Sequence, residues 1–265
     1  MPYFITSDGC KVYYKTYDFS SSKPTMVFLN GTAQTAIYWE AHRKIFIDHF
    51  RLLLYDARAQ GRSDLGQQSL SLESHTADLA ALLDHLAVGE ANLVGLSHGA
   101  HVALAFAARN RQRVKRLILC SLGAKPSKQS RVVVRCWLET LRLGGLEAMA
   151  WAALPTVFAE KYLVRNKGIL SEIVKAIAAR NQKEALTAHL KALRQYPPAV
   201  RLVKEHSPPA LVISGSKDPL VSRKSARALA EKIHAFHKEV SDAGHSVPQE
   251  APRLFNDIVL EFLLN

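Results

Sequence analysis

Apolar positions along the chain fall into short unbroken runs and longer stretches of helical period. Thr25–Leu29 (TMVFL), Arg51–Tyr55 (RLLLY), Asn92–Leu96 (NLVGL), Leu117–Cys120 (LILC) and Ala210–Ser214 (ALVIS) are runs of four or five residues. Such runs predict strands buried on both faces of a sheet. Lys11–Tyr17, after the Ser7-Asp8-Gly9 turn, alternates instead, and Lys238–Val240 reads as a further short strand. Ser74–Leu86, His98–Arg109, Ser222–Ile233 and Pro252–Leu264 carry apolar residues at helical spacing, with Ser71 or Ser74 the candidate N-cap of the first. Strand, helix, strand at this spacing predicts parallel pairing through right-handed crossovers. The fold class is therefore α/β, a mostly parallel sheet with helices on both faces.

Residues 125–206 interrupt that alternation and read as helices only: Arg131–Leu143, Leu146–Leu154, Ile169–Ala179 and Lys183–Gln195. Gly144-Gly145 and Pro155 separate the first pieces, and Pro197-Pro198 and Pro208-Pro209 close the segment. The expected organisation is a core of residues 1–124 and 207–265 with a helical cap, 125–206, inserted between two strands. Such a cap sits over the carboxyl edge of the sheet, where open α/β sheets bind ligands.

Composition narrows the class. Of 265 residues, 48% are hydrophobic and 22% charged, which is ordinary for a globular domain and excludes disordered and fibrous chains. The longest uncharged central stretch, Ala148–Ala159, is too short and too broken by Pro155 to span a bilayer. The first residues show no basic start followed by an apolar run, so no secretory signal is expected. Cys10, Cys120 and Cys136 are odd in number and widely spaced, which argues against disulfides and zinc knuckles and for a reducing cytoplasm. The unusual quantity is the net charge of +12. Residues 125–206 hold 15 Lys/Arg against 6 Asp/Glu, nine of those twelve charges.

Gly95-Leu96-Ser97-His98-Gly99 is the strongest local signal. Alone it carries little, since chance supplies a G-x-S-x-G in roughly one of ten chains this long at a glycine usage of ~7%. Its setting gives it meaning: a buried strand leads in and a helix leads out, as a nucleophile elbow requires. A serine hydroxyl needs a base, usually a histidine oriented by a carboxylate. His245, in Asp242-Ala243-Gly244-His245-Ser246, follows the last short strand, where a side chain can reach the elbow. His98 and His101 lie on the helix leaving the elbow. His42, His49, His75, His85, His189, His206, His234 and His237 read as surface or helix-face residues. Asp218 follows the ALVIS strand and completes the chain order Ser97, Asp218, His245, the α/β-hydrolase order. Asp242, three residues from His245, reads as a solvated turn residue. An oxyanion needs two N–H donors. His98, after the serine, supplies one, and Thr32, in the Asn30-Gly31-Thr32-Ala33 loop after TMVFL, is the candidate for the other.

The chain resembles an α/β-hydrolase over nearly its whole length. The N-G-T-A loop, the Asp56–Ser63 segment (DARAQGRS), the G-L-S-H-G elbow and the S-K-D-P and A-G-H segments match in order. It is most similar to small capped carboxylesterases and lactonases, including pimeloyl-carrier-protein methyl ester esterases and 3-oxoadipate enol-lactonases. The resemblance implies a serine hydrolase acting on an ester, thioester or lactone through an acyl-enzyme on Ser97. A serine nucleophile argues against a dehalogenase or epoxide hydrolase, which need a carboxylate. Two positions depart from the family: Asn30 where His is usual before Gly31, and Ala59 for the first Gly of D-x-R-G-x-G-x-S. Asn-Gly also resembles the enzyme joining two 3-hydroxyacyl chains in rhamnolipid synthesis, so the alternative is acyl transfer to an alcohol. The Asp56–Ser63 segment is expected to shape the loop beside the oxyanion turn without taking part in chemistry.

The basic cap attracts anions: an acyl carrier protein, coenzyme A or a substrate carboxylate, through Lys125, Lys128, Arg131, Arg135 and Arg142 or Lys161, Arg165 and Lys167. It would equally serve as a solvated face or favour anionic lipids. No nucleic-acid motif is visible, and aromatics do not interleave with the basic residues. Trp137, Trp151 and Phe158 are candidate substrate contacts on an apolar cap stripe that would also serve as packing. No H-E-x-x-H and no post-strand G-x-G-x-x-G occurs, so neither metal nor cofactor is expected.

Overall fold

A computed structural model describes residues 2–203 and 207–265. Its strands are β1 (Tyr3–Ile5), β2 (Lys11–Tyr17), β3 (Thr25–Leu29), β4 (Arg51–Tyr55), β5 (Ala91–Leu96), β6 (Val114–Cys120), β7 (Ala210–Gly215) and β8 (Phe236–Val240). They form one sheet in the order β1-β2-β4-β3-β5-β6-β7-β8. β1 and β2 pair antiparallel with each other, and β2 pairs antiparallel with β4. Every other pairing is parallel. The unbroken apolar runs are the central strands: β3, β5 and β7 are buried at every position. β1 was not expected. Three residues, two of them exposed, are too few to show a period.

The helices are α1 (Glu40–Phe46), α2 (Leu72–His85), α3 (His98–Arg109), α4 (Lys128–Val157), α5 (Glu160–Arg165), α6 (Leu170–Ala179), α7 (Lys183–Leu193), α8 (Arg223–Lys232), α9 (Val247–Glu250) and α10 (Pro252–Leu264). The pleat sorts alternate residues of each strand to opposite faces. Val27, Leu53, Leu93 and Val212 meet Leu79 and Leu83 of α2, Val102 and Phe106 of α3, and Leu229 of α8. Met26, Leu54, Val94 and Ile213 meet Phe46 of α1 and Phe255 and Val259 of α10. Ser71 caps α2, its hydroxyl accepting from the Ser74 N–H while the Ser74 hydroxyl accepts from the Ser71 N–H.

α4 to α7 lie between β6 and β7 in the chain. Ser127 caps α4, accepting from the Ser130 N–H at 2.9 Å. The two helices expected from 131 to 154 meet within α4 at a kink at Gly145, whose φ of 79° and ψ of −167° leave the helical region, so the glycines separate them as expected. Pro155 does not end α4, which closes only at Val157, where the Phe158 N–H still reaches the Leu154 carbonyl at 2.9 Å. The insertion packs on itself: Trp137, Leu138, Leu141 and Met149 of α4 meet Leu186 and Leu190 of α7. Ala150, Leu154, Phe158 and Tyr162 meet Val174 of α6. The 206/207 boundary and the reading of His206 lie outside the described residues. Among the described residues no helix is long and apolar enough to cross a membrane.

Candidate active site

Ser97 sits between β5 and α3 with φ 53° and ψ −110°, a backbone that L-residues rarely adopt. The turn is that tight because strand and helix nearly touch. A Cβ on Gly95 would lie 2.5 Å from the Ala100 nitrogen, and one on Gly99 would collide with the Leu29 carbonyl. The Ser97 N–H anchors the turn on the Cys120 carbonyl at 2.8 Å.

Three strand ends converge on this hydroxyl. Ser97 Oγ lies 2.8 Å from His245 Nε2, and His245 Nδ1 lies 2.8 Å from Asp218 Oδ2. A carboxylate accepts, so Nδ1–H donates to Asp218 and Nε2 is left to accept from the serine. The other Asp218 oxygen accepts from the backbone N–H groups of Leu220 and Val221 at 2.8 and 2.9 Å. The Asp218 side chain is fully buried and that of His245 is 9% exposed. The Lys217 N–H to Ala243 carbonyl bond, 2.8 Å, stitches the two loops together. Asp242 is exposed and pairs with Lys161 at 3.2 Å, away from His245.

The His245 loop is held by residues that the sequence did not single out. Glu250 Oε1 accepts from the Gly244 and Ser246 N–H groups at 2.9 and 3.2 Å, and Oε2 accepts from the Ala159 N–H at 2.8 Å. Burial pushes its carboxyl up, against those three donors. The Val157 carbonyl, at the end of α4, accepts from the His245 and Ser246 N–H groups at 2.8 and 3.2 Å. Ser121 donates to the His245 carbonyl at 2.7 Å.

The loop after β3 is pinned as firmly. Gln34 Oε1 accepts from the Gly31 N–H at 2.9 Å, and Gln60 Nε2 donates to the Gly31 carbonyl at 2.8 Å. Asp56 accepts from the Ala36 and Arg62 N–H groups. Among the described residues no acceptor takes the N–H of Thr32 or of His98. Asn30 is 2% exposed and spends its amide elsewhere, donating to the Tyr55 carbonyl at 2.8 Å and accepting from Trp39 Nε1 at 2.9 Å.

Ser97 and His245 open onto a cavity of about 270 Å³, lined also by Thr32, His98, Leu122, Trp137, Val157 and Tyr196. Lys125, Arg131 and Arg194 line it, and no acidic side chain among the described residues does. A second, mainly apolar cavity of about 190 Å³ shares Thr32, Gln34, Trp137 and Val157 with the first and extends past Met149, Phe158 and Ile173. Trp137 lines both, and its indole N–H lacks a protein acceptor. Trp151 does not belong with it: the ring is 44% exposed and borders neither cavity, because it sits on the outer face of α4.

Three histidines read as surface or helix-face residues are buried: His42 at 2%, His75 at 1% and His189 at 0% exposure. A helical period places such a residue on a face but does not say what covers that face. His101 lines the first cavity, and burial pushes its imidazole down to about 4.

The sequence model of the alpha/beta hydrolase family matches residues 26–258. A curated relative, 3-oxoadipate enol-lactonase 2 of Acinetobacter baylyi, is 25% identical over 255 residues, covering 96% of this chain and 94% of the relative. The crystal structure of the enol-lactonase from Burkholderia xenovorans LB400 superposes with a TM-score of 0.90 at 29% identity over the full length of both chains. A malate-bound thermophilic esterase from Thermogutta terrifontis gives 0.86 at 27% identity, covering 97% of this chain and 95% of that one.

Proposed function

The chain belongs to the alpha/beta hydrolase family, and from that premise we propose that it cleaves a carboxylic ester or lactone bearing a free acid group, with Ser97, His245 and Asp218 as its catalytic triad. The observation that carries this reading is the serine–imidazole–carboxylate relay, with both contacts at 2.8 Å, on the wall of a cavity.

Ser97 Oγ attacks the carbonyl carbon while His245 Nε2 takes the hydroxyl proton. Asp218 accepts from Nδ1–H throughout, which holds the ring and favours the imidazolium. The undonated N–H groups of Thr32 and His98 receive the oxyanion; losing one such donor typically costs ~2.7–4 kcal/mol of barrier. The leaving oxygen takes the proton from His245, giving an acyl-enzyme. Water, deprotonated by the same imidazole, then releases the acid and restores Ser97.

The acid group on the substrate is argued from charge. Lys125, Arg131 and Arg194 face a cavity without carboxylates, so an anion gains there while a cation gains nothing. The named substrate of the A. baylyi relative, 3-oxoadipate enol-lactone, and the malate held by the T. terrifontis esterase are carboxylates too. This placement favours a small acid over an acyl carrier protein or coenzyme A, which would have to rely on the outward cations Lys128, Arg135, Arg142, Lys161, Arg165 and Lys167. Trp137 and Phe158 would contact the apolar part of the substrate.

Ester hydrolysis by the purified protein and by Ser97→Ala tests the triad. Losing such a nucleophile costs on the order of 10⁶ in turnover, so equal rates would remove Ser97 from the mechanism. Matched half-esters and diesters of one dicarboxylic acid test the acid group. A higher kcat/KM for the half-ester is expected, reduced in Arg131→Gln; a preference for the diester overturns it. Product analysis with an added alcohol distinguishes hydrolysis from acyl transfer.

A further inference from the structure

We propose that His75, His98 and His189 form a binding site for one divalent transition-metal ion of the Zn²⁺ class, which ties the helical insertion to the helices of the sheet. Among the described residues this is the one group able to hold such an ion. His75 lies on α2, His98 opens α3, and His189 comes from α7 of the insertion. One ligand atom from each lies within 4.8 Å of the other two. The ring centroids of His75 and His98 are 4.7 Å apart, and those of His98 and His189 are 4.4 Å apart.

The nitrogens are in the state a metal needs. Both nitrogens of His75 and the Nδ1 atom of His189 are buried without a hydrogen-bond partner, and the His98 ring, whose Nδ1 is buried too, makes only a loose contact with the Asn30 carbonyl. Leaving buried nitrogens unpaired is costly unless something fills the centre, and an ion would take one nitrogen from each ring. Packing alone would be served as well by leucines, without that cost.

The surroundings fit as well. A metal-bound histidine normally holds its other ring nitrogen in a hydrogen bond. His98 Nε2 lies 3.3 Å from the Tyr196 hydroxyl, and His189 Nε2 lies 3.1 Å from Thr32 Oγ1. An all-imidazole donor set selects Zn²⁺, Co²⁺, Ni²⁺ or Cu²⁺ over Mg²⁺ and Ca²⁺. Tetrahedral ligands at about 2.0–2.1 Å from the ion sit roughly 3.3 Å apart, so a closing of at most about 1.5 Å per pair, from the 4.8 Å limit, completes the site.

The test uses untagged, chelator-treated protein dialysed against Zn²⁺ or Co²⁺ at neutral pH. Elemental analysis, the visible Co²⁺ spectrum and Tm are read for wild type, His75→Gln and His49→Gln, an exposed control. One ion per chain is expected, with the intense visible bands of four-coordinate Co²⁺ and a raised Tm. His75→Gln should weaken binding by more than the ~10–100-fold that loss of an outer partner costs, and His49→Gln should leave it unchanged. Well under half an ion per chain, or equal binding by His75→Gln, overturns the site. If His75→Gln does not fold, the wild-type cobalt spectrum decides: only the weak bands of six-coordinate aqueous Co²⁺ would overturn it. None of these readouts depends on Ser97 chemistry.

Discussion

Glu250 does not itself line the first cavity, yet one of its oxygens holds the N–H groups on either side of His245 and the other holds the Ala159 N–H just past α4. A misplacement of about 1 Å in a reacting group can cost ~10² in rate. Glu250→Ala should therefore lower kcat by roughly that factor with KM little changed. Glu250→Gln, which retains an acceptor oxygen, should recover part of it. Unchanged steady-state kinetics in Glu250→Ala would reduce the residue to a structural contact. Asn30 makes the opposite point. Its departure from the family's histidine raised the question of the acyl acceptor, but its amide is consumed by Tyr55 and Trp39. Asn30→Ala should cost ~1–3 kcal/mol of stability by orphaning those two groups, and leave the ratio of acid to ester product unaltered in the presence of alcohol. Ser97, Asp218 and His245 were legible because each follows a recognisable strand. Glu250, Gln34 and Gln60 were not, because what they bind is backbone distant in sequence, and no local motif marks such a partner.

The strands and helices were legible where a run or a period extends over four residues or more, as in β3, β4 and α3. They were not where tertiary contact alone makes the element, as in β1 and the short α5. The Asp56–Ser63 segment shows a mixed case. Its role beside the oxyanion loop was expected, but Arg58 also clamps two elements that sequence could not bring together. The guanidinium, 1% exposed, binds Asp8 at 2.6 Å and Asp78 of α2 at 2.7 Å. Arg58→Met leaves two buried carboxylates unpaired and should cost ~3–5 kcal/mol in denaturant unfolding. Arg58 holds the Asp8 carboxyl far below its usual value of 3.8. A depressed folded-state value stabilises the protein above the unfolded-state value and loses that contribution as pH falls through the folded one. The gap between wild type and variant should hold from neutral pH to about 4, near the unfolded value, and narrow in stronger acid. A gap that widens in acid would contradict the assignment.

Charge is distributed over the molecule as unevenly as the sequence indicates, with nine of the twelve net positive charges in residues 125–206. Exposed charges are screened beyond about 10 Å at 0.1 M salt. Raising salt from low to high should therefore lower kcat/KM for an anionic ester and leave a neutral ester of equal size almost unchanged. Parallel salt dependence for both would locate the effect in folding and not in attraction.

The Val157 carbonyl has a mechanical consequence. Because it accepts from the two N–H groups flanking the imidazole, the end of α4 and the proton relay move as one piece. On the proposed mechanism the insertion would act less as a hinged door than as an interlock: tilting it away would disarm the base, so an open enzyme would be an idle one. Swapping in the corresponding helices of a relative would then change turnover as well as selectivity, unless the graft ends by returning a carbonyl to that same point.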